Sequence, residues 1–121
     1  MRLIPILLLY ITFGCNSKID LPNLDQEAFA NDKNGCNNQR NTMIPALEKD
    51  KNLLKGLNQN EIAKTLGKPD QNELYKRSQK FFIYHLTPTD CPNQPTTSAK
   101  KYLSIRFNAT GLAKEVVIYK E

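Results

Sequence analysis

The side chains in this sequence that could carry out chemistry are few and widely spaced. His85 is the only histidine, and without a second histidine or a CxxC pair it lacks the partners of a zinc site. Residues 32–35 are similar to the turn of a calcium loop, but Asn41 stands where the bidentate glutamate is needed. Asp70 and Glu73 flank a turn, where carboxylates are usually exposed to solvent. We therefore expect no catalytic residue, metal or cofactor, and predict that the protein is not an enzyme.

Three cysteines, Cys15, Cys36 and Cys91, are the remaining reactive groups. If Cys15 is modified, an even pair is left, and in an exported chain this favours a disulfide between Cys36 and Cys91. Closing that loop of 55 residues would stabilise the fold by roughly 4 kcal/mol through chain entropy. Free thiols are the alternative, and a metal site is disfavoured because no paired ligand spacing is present.

The first residues of the chain have the pattern of an export signal. Arg2 supplies one positive charge, and residues 3–13 are almost wholly apolar. This run is too short for a transmembrane helix, which needs about 20 residues, and is typical of a signal peptide. Gly14 and Cys15 then resemble a lipobox, with Thr12 where leucine is usual.

We predict a lipoprotein signal peptide at residues 1–14 and cleavage before Cys15. Acyl chains, palmitate among them, would anchor that cysteine in a membrane. Residues 15–24 would then be the lipidated cysteine and a polar tether. A plain secretory leader or a short membrane anchor is the alternative interpretation.

Residues 25–121 are predicted to form one α+β domain, with its helices in the first half. Hydrophobic spacing favours short helices at residues 24–32, near 42–54 and 58–66. Asn58 and Glu61 are spaced as a capping box, and Gly67 followed by Pro69 ends that helix.

The second half has the alternating pattern of β-strands. Strands are predicted at residues 73–76, 81–87, 102–107 and 112–119. A proline-rich loop at 88–98 contains Cys91, and residues 108–111 form a hairpin turn. We expect the N-terminal helices to pack on one face of a three- to four-stranded antiparallel meander, with the other face open to water.

A surface for a protein partner is predicted on this sheet. Alternation puts Tyr102 and Arg106 opposite Leu103 and Ile105, and we expect Tyr84 to share their face. Tyrosine and arginine are enriched at interface hot spots. The alternative is that the tyrosines only cover the edge of the core.

Several motifs follow one another in the C-terminal half of the chain. They are Gly56 before the capped helix, Leu66-Gly67-Lys68-Pro69, the aromatic strand Phe82-Ile83-Tyr84, and the hairpin from Ile105 through Gly111 to Val116. Over residues 53–119 the sequence resembles the BamE-like (SmpA/OmlA) family of small outer-membrane lipoproteins. The resemblance implies two helices on a three-stranded antiparallel sheet, similar to half of β-lactamase-inhibitor protein. Residues 29–40 and the Cys91 loop depart from the family pattern, which indicates a divergent branch with an extra cysteine pair.

The resemblance also implies a function. We expect a non-enzymatic lipoprotein of the outer membrane that binds another envelope protein, with the β-barrel assembly machinery as the family's partner. A secreted inhibitor or a ligand-binding module on the same fold is the alternative. The net charge of +5 comes from scattered lysines, so we expect no nucleic-acid partner.

Overall fold

The computed structural model describes residues 19–75, 79–96 and 99–121. The predicted signal peptide and Cys15 lie outside these ranges, so export and lipidation stay predictions. Within the described residues, no helix has the length and apolar character needed to cross a membrane.

Short helical segments form the first layer of the domain. They are α1 (Gln26–Asn31), α2 (Gln39–Thr42), α3 (Ile44–Asp50) and α4 (Gln59–Leu66), with 3₁₀ turns at Lys33–Gly35 and Lys51–Leu54. Pro45 stands in the first turn of α3, where its missing N–H costs nothing. The predicted capping box of α4 is confirmed, because Asn58 accepts from the Glu61 amide and Glu61 accepts from the Asn58 amide.

The second layer is an antiparallel sheet of four strands in chain order, and this confirms the predicted α+β fold. The strands are β1 (Gln71–Tyr75), β2 (Gln79–His85), β3 (Lys101–Phe107) and β4 (Ala113–Lys120). The register shifts between Arg106 and Phe107, which pair with Glu115 and Ala113, so Lys114 is an extra residue in β4, as in a β-bulge. Asn108 holds this turn, because its side-chain oxygen accepts from the Thr110 and Leu112 amides.

One face of the sheet packs against the helices and forms the core. The sheet contributes Phe82, Tyr84, Leu103, Ile105 and Phe107, and the helical layer contributes Phe29, Leu47, Leu54, Ile62 and Leu66. Each of these side chains is at most 4% exposed. Burial of this apolar area is the main source of the domain's stability.

The domain begins before the residue that the sequence suggested. Leu21 and Leu24 were assigned to the tether, but they are buried in the core at 3% and 7% exposure. The Ile19 amide donates to the Thr65 hydroxyl in α4 at 3.2 Å, and the Gln26 side chain bonds the Ile19 carbonyl and the Leu21 amide. Residues 19–24 therefore belong to the folded domain, and only residues 15–18 of the predicted tether lie outside the described part.

Candidate functional site

The structure separates the three predicted binding residues onto two faces of the sheet. Tyr84 pairs with Leu103, and His85 pairs with Tyr102, and residues directly opposite each other in a sheet share a face. Tyr84 is therefore on the core side, where it is fully buried. The prediction that Tyr84 lies beside Tyr102 and Arg106 is wrong.

Tyr84 has a structural task instead. Its hydroxyl donates to the Gly67 carbonyl at 2.8 Å, which ties β2 to the end of α4. Its ring lies 5.7 Å from the Phe29 ring. Burial raises the pKa of the Tyr84 hydroxyl far above its ordinary value, opposed by the Arg40 charge and reinforced by the Asp70 charge.

Tyr102 and Arg106 lie on the other side, which we call the open face. The Tyr102 ring stacks on the Tyr119 ring of β4 with centroids 5.1 Å apart. Arg106 pairs with Glu115 at 3.1 Å, and both side chains are solvent-accessible. His85 and Ile83 of β2 join them, since Ile83 pairs with Ser104. His85 thus shares the face of Ile83, as alternation along β2 requires.

Beneath the sheet lies a charged centre that the sequence did not reveal. The Arg40 side chain of α2 is 0% exposed, and its Nη1 donates to Asp70 Oδ2 at 2.6 Å and to the His85 carbonyl at 3.1 Å. Its Nε donates to the Phe29 carbonyl at 2.8 Å. The guanidinium carbon lies 4.7 Å from the centre of the Phe29 ring and 5.6 Å from that of Tyr84, a cation–π arrangement on both rings.

The two carboxylates of this centre are satisfied by backbone amides. Asp70 accepts from the Asn34 amide at 3.0 Å and from the His85 amide at 2.7 Å. Asp32 accepts from the amides of Asn37 at 2.7 Å and Arg40 at 2.9 Å. The expectation that Asp70 faces solvent is wrong: its side chain is 2% exposed, because the buried arginine needs a counter-charge.

The disulfide predicted between Cys36 and Cys91 is present, with the two Cα atoms 5.7 Å apart. It fastens the loop after β2 to the 3₁₀ turn at Lys33–Gly35. Gly35 lies against the backbone of Thr87, where an added Cβ would come within 2.8 Å of it, and its φ of +67° also favours glycine. The Thr89 amide donates to the Asn34 carbonyl at 3.0 Å. The start of the proline-rich loop is thereby fixed in position.

A cavity of about 330 Å³ opens on the open face beside this fixed loop. We call it the acidic pocket, and the residues that define it are Glu73, His85, Asp90, Lys100, Tyr102 and Glu121. A second cavity of about 230 Å³ adjoins it along β1–β4 and shares Glu73, Ile83 and Tyr102. Together the two cavities make the open face concave, with Tyr102 and Tyr119 rising beside Ile83 and Ser104, which are each 7% exposed.

Negative charge dominates the acidic pocket. Glu73, Asp90 and Glu121 are exposed carboxylates at its rim, and Lys100 is the basic residue among the described lining residues. None of the three carboxylates forms an ion pair within the described residues. Burial raises the pKa of the Tyr102 hydroxyl above its ordinary value, and the nearby charges of Glu121, Tyr119 and Glu73 act in the same direction.

His85 lies against this pocket with an unused nitrogen. The residue is 8% exposed, and its Nδ1 is buried without a hydrogen-bond partner among the described residues. Burial lowers the pKa of the imidazole below its ordinary 6.5, against the opposing charges of Asp70 and Asp90. The ring is therefore neutral at pH 7, and one of its nitrogens can accept a hydrogen bond.

The groups around the acidic pocket are those that bind a cation. The hydroxyl of Thr89, which lines the pocket, donates to the Thr87 carbonyl at 3.0 Å. Among residues 19–75, 79–96 and 99–121, no group of three His, Cys, Asp or Glu side chains could hold a metal ion. Exposed carboxylates beside a tyrosine wall favour an organic cation.

Comparison with known proteins adds no relative to this description. No protein-family model, curated protein or solved structure matches the chain.

Proposed function

We propose that this chain is a lipid-anchored protein of the bacterial envelope that binds another envelope protein through the open face of its sheet. The observation that carries the binding role is the concave, tyrosine-lined open face. Its two stacked tyrosines, and the rim carboxylates that form no ion pair among the described residues, are left out of the packed core. Interface hot spots are enriched in tyrosine.

The cysteine pairing supports the lipid anchor. Because Cys36 and Cys91 are bonded to each other, neither can pair with Cys15, which follows the apolar leader. A lipidated Cys15 would be four residues from Ile19, a reach of at most about 14 Å. Ile19 is fastened to α4 in the helical layer. The helical layer would thus face the membrane, and the open face would point towards a partner.

The resemblance to BamE-like lipoproteins supports a more specific version of this proposal. It favours the outer membrane as the location and the β-barrel assembly machinery as the partner. Helices followed by an antiparallel meander are consistent with that family's fold, but this architecture is shared by proteins of many functions.

The lipid anchor is tested by mass spectrometry and cell fractionation. We expect the N-terminal peptide of the membrane-extracted protein to begin at Cys15 and to carry a diacylglycerol and a third acyl chain. Cys15→Ser should move the protein out of the membrane fraction or leave its leader uncleaved. An unmodified thiol at residue 15 in the membrane-extracted protein would refute the anchor.

The partner is tested by photo-crosslinking in intact cells. A crosslinking amino acid in place of Tyr119, which is 44% exposed on the open face, is compared with one in place of Leu53, which is 49% exposed in the helical layer. We expect a discrete adduct with one envelope protein from position 119 only, and its loss in Tyr102→Ala. Equal adducts from both positions would contradict a role for the open face.

The acidic pocket favours a second candidate, a module that binds a small ligand or inhibits an enzyme. Its volume of about 330 Å³ is at the lower end of the ~300–1,000 Å³ of ligand sites. Recovery of a hydrolase in the position-119 adduct would support an inhibitor, whereas barrel-assembly subunits would support the family role.

A further inference from the structure

We infer that the acidic pocket receives one arginine side chain of the protein partner. This inference rests on the proposed function, because it names the group by which a partner would engage the open face. The pocket brings together three kinds of group that recognise a guanidinium: carboxylates, a neutral imidazole and an aromatic wall.

The acidic pocket and the whole chain have charges of opposite sign. The whole sequence has a net charge of +5, whereas the described lining of the pocket has three rim carboxylates, Glu73, Asp90 and Glu121, against one lysine. These three carboxylates have no ion-pair partner among the described residues. Because they line one pocket, their like charges repel one another. A basic group entering the pocket would relieve that repulsion and form charge-assisted hydrogen bonds.

His85 is the independent sign that the pocket awaits a ligand. It is more than nine-tenths buried, lines the pocket, and has an Nδ1 without a partner in the described part of the chain. A buried polar atom that makes no hydrogen bond costs about 1–3 kcal/mol, so it is normally satisfied by protein, water or ligand. A neutral imidazole has one nitrogen that accepts a hydrogen bond, and a guanidinium supplies donors only.

The aromatic wall favours arginine over lysine. Tyr102 and Tyr119 present stacked rings at the pocket and its neighbouring cavity, and a planar guanidinium stacks on such rings while its edges bond carboxylates. The arginine of this chain's own charged centre behaves in the same way, since Arg40 lies over Phe29 and Tyr84 and pairs with Asp70. A cavity of about 330 Å³ accommodates one side chain rather than a large ligand.

The single histidine makes the inference directly testable by NMR. Full-length protein in a neutral detergent is labelled only at histidine, so that one imidazole signal, that of His85, is observed. It is titrated with the capped tripeptide Gly-Arg-Gly, and with the matched peptides in which citrulline or lysine replaces arginine. Citrulline keeps the shape and the hydrogen-bond donors nearest the chain but removes the charge.

We expect saturable shifts of the His85 signal with the arginine peptide. Citrulline should weaken binding by about tenfold or more, which corresponds to 1.4 kcal/mol at 25 °C, and lysine should bind between the two. Glu73→Gln combined with Asp90→Asn should weaken the arginine peptide by a similar factor. Glu115→Gln is the matched control, because that carboxylate is on the same face but already paired with Arg106; it should change binding less than twofold.

The outcomes separate this inference from the proposed function. Equal binding of the arginine and citrulline peptides, or undiminished binding by the double variant, would overturn the inference. So would tighter binding of spermidine than of the arginine peptide, which would indicate a free polyamine. If the double variant still gives the full position-119 adduct in cells, the arginine pocket is refuted and partner binding stands. If the peptide binds but no adduct forms, the pocket stands and partner binding fails.

Discussion

The two faces of the sheet use the same kinds of side chain for different ends. On the core side, the Arg40 charge meets Asp70 at 2.6 Å and lies over two aromatic rings without access to water. On the open face, Tyr102 stacks on Tyr119, and exposed carboxylates stand nearby without ion-pair partners among the described residues. The Arg40 guanidinium is paired through Nε and Nη1, while its buried Nη2 has no hydrogen-bond partner among the described residues. Carboxylates that stand unpaired at a cavity are, by contrast, available to a partner.

His85 joins the two faces. Its backbone amide donates to Asp70 and its carbonyl accepts from Arg40, so its main chain belongs to the charged centre. Its ring belongs to the acidic pocket. The charged centre therefore fixes the end of β2 at which the acidic pocket lies. Substitutions in the charged centre should disturb the acidic pocket as well.

The loss of unfolding free energy should differ most between two arginine substitutions, one on each side of the sheet. Arg40→Met leaves the Asp70 carboxylate buried without its counter-charge, and we expect a loss of about 3–5 kcal/mol in the free energy of unfolding. Arg106→Met breaks only a solvent-accessible pair with Glu115, and should cost at most about 1 kcal/mol. Urea unfolding followed by circular dichroism measures both. Similar losses of unfolding free energy in the two variants would contradict the view that only the core-side arginine stabilises the fold.

Removal of the disulfide should have the second largest effect on stability. Cys36→Ala with Cys91→Ala opens a loop of 55 residues, and chain entropy predicts a loss of about 4 kcal/mol, within the roughly 2–5 kcal/mol usual for small domains. The wall of the acidic pocket at Asp90 should also loosen, because Asp90 directly precedes Cys91. Unfolding with and without reductant measures the first effect, and Cys15→Ser is the control that should leave domain stability unchanged.

Two tyrosine-to-phenylalanine changes should sharpen the comparison further. Tyr84→Phe removes the buried hydrogen bond to the Gly67 carbonyl and should cost about 1–2 kcal/mol. Tyr102→Phe removes a hydroxyl for which the described residues offer no hydrogen bond, and its cost should be within about 0.5 kcal/mol of zero. A larger loss in Tyr102→Phe than in Tyr84→Phe, measured by urea unfolding, would reverse the assignment of the faces.

The features that were predictable from sequence are those with local causes. The capping box of α4 needs only Asn58 and Glu61, three residues apart, and its helix ends at Gly67 as expected. Alternation within β3 correctly placed Tyr102 and Arg106 opposite Leu103 and Ile105, because side chains on one strand change face at every residue. The disulfide between Cys36 and Cys91 was inferred from the even pair that remains when Cys15 is assigned to lipid in an exported chain.

The features that were missed depend on contacts between distant segments. Whether Tyr84 or His85 shares a face with Tyr102 depends on the register of β2 against β3, which are joined by a long loop whose length sets no register. Arg40 and Asp70 are 30 residues apart in sequence, and no local pattern announces their pairing. Asp32 and Arg40 do lie close to Gly35 and Cys36 in the sequence, but that proximity alone does not predict a buried ion pair with Asp70.

The smallest expected effect is a change in how the stability of the domain depends on pH when His85 is replaced. Burial lowers the folded-state pKa of His85 below its ordinary value of 6.5, so the unfolded chain binds the proton more readily. Stability from the neutral ring is therefore present above pH 6.5 and is lost as the pH falls from there towards the folded-state pKa. In His85→Gln this loss is absent, whereas the acid titration of the carboxylates remains.

Unfolding free energies of wild type and His85→Gln, measured between pH 8 and pH 5, isolate this contribution. We expect the advantage of the wild type over the variant to shrink as the pH falls through 6.5. An advantage that grows on acidification would mean that the folded state prefers the charged imidazole, in contact with Asp70 or Asp90. The pocket would then present a donor rather than an acceptor at His85, and an arginine would no longer be the group that fits it.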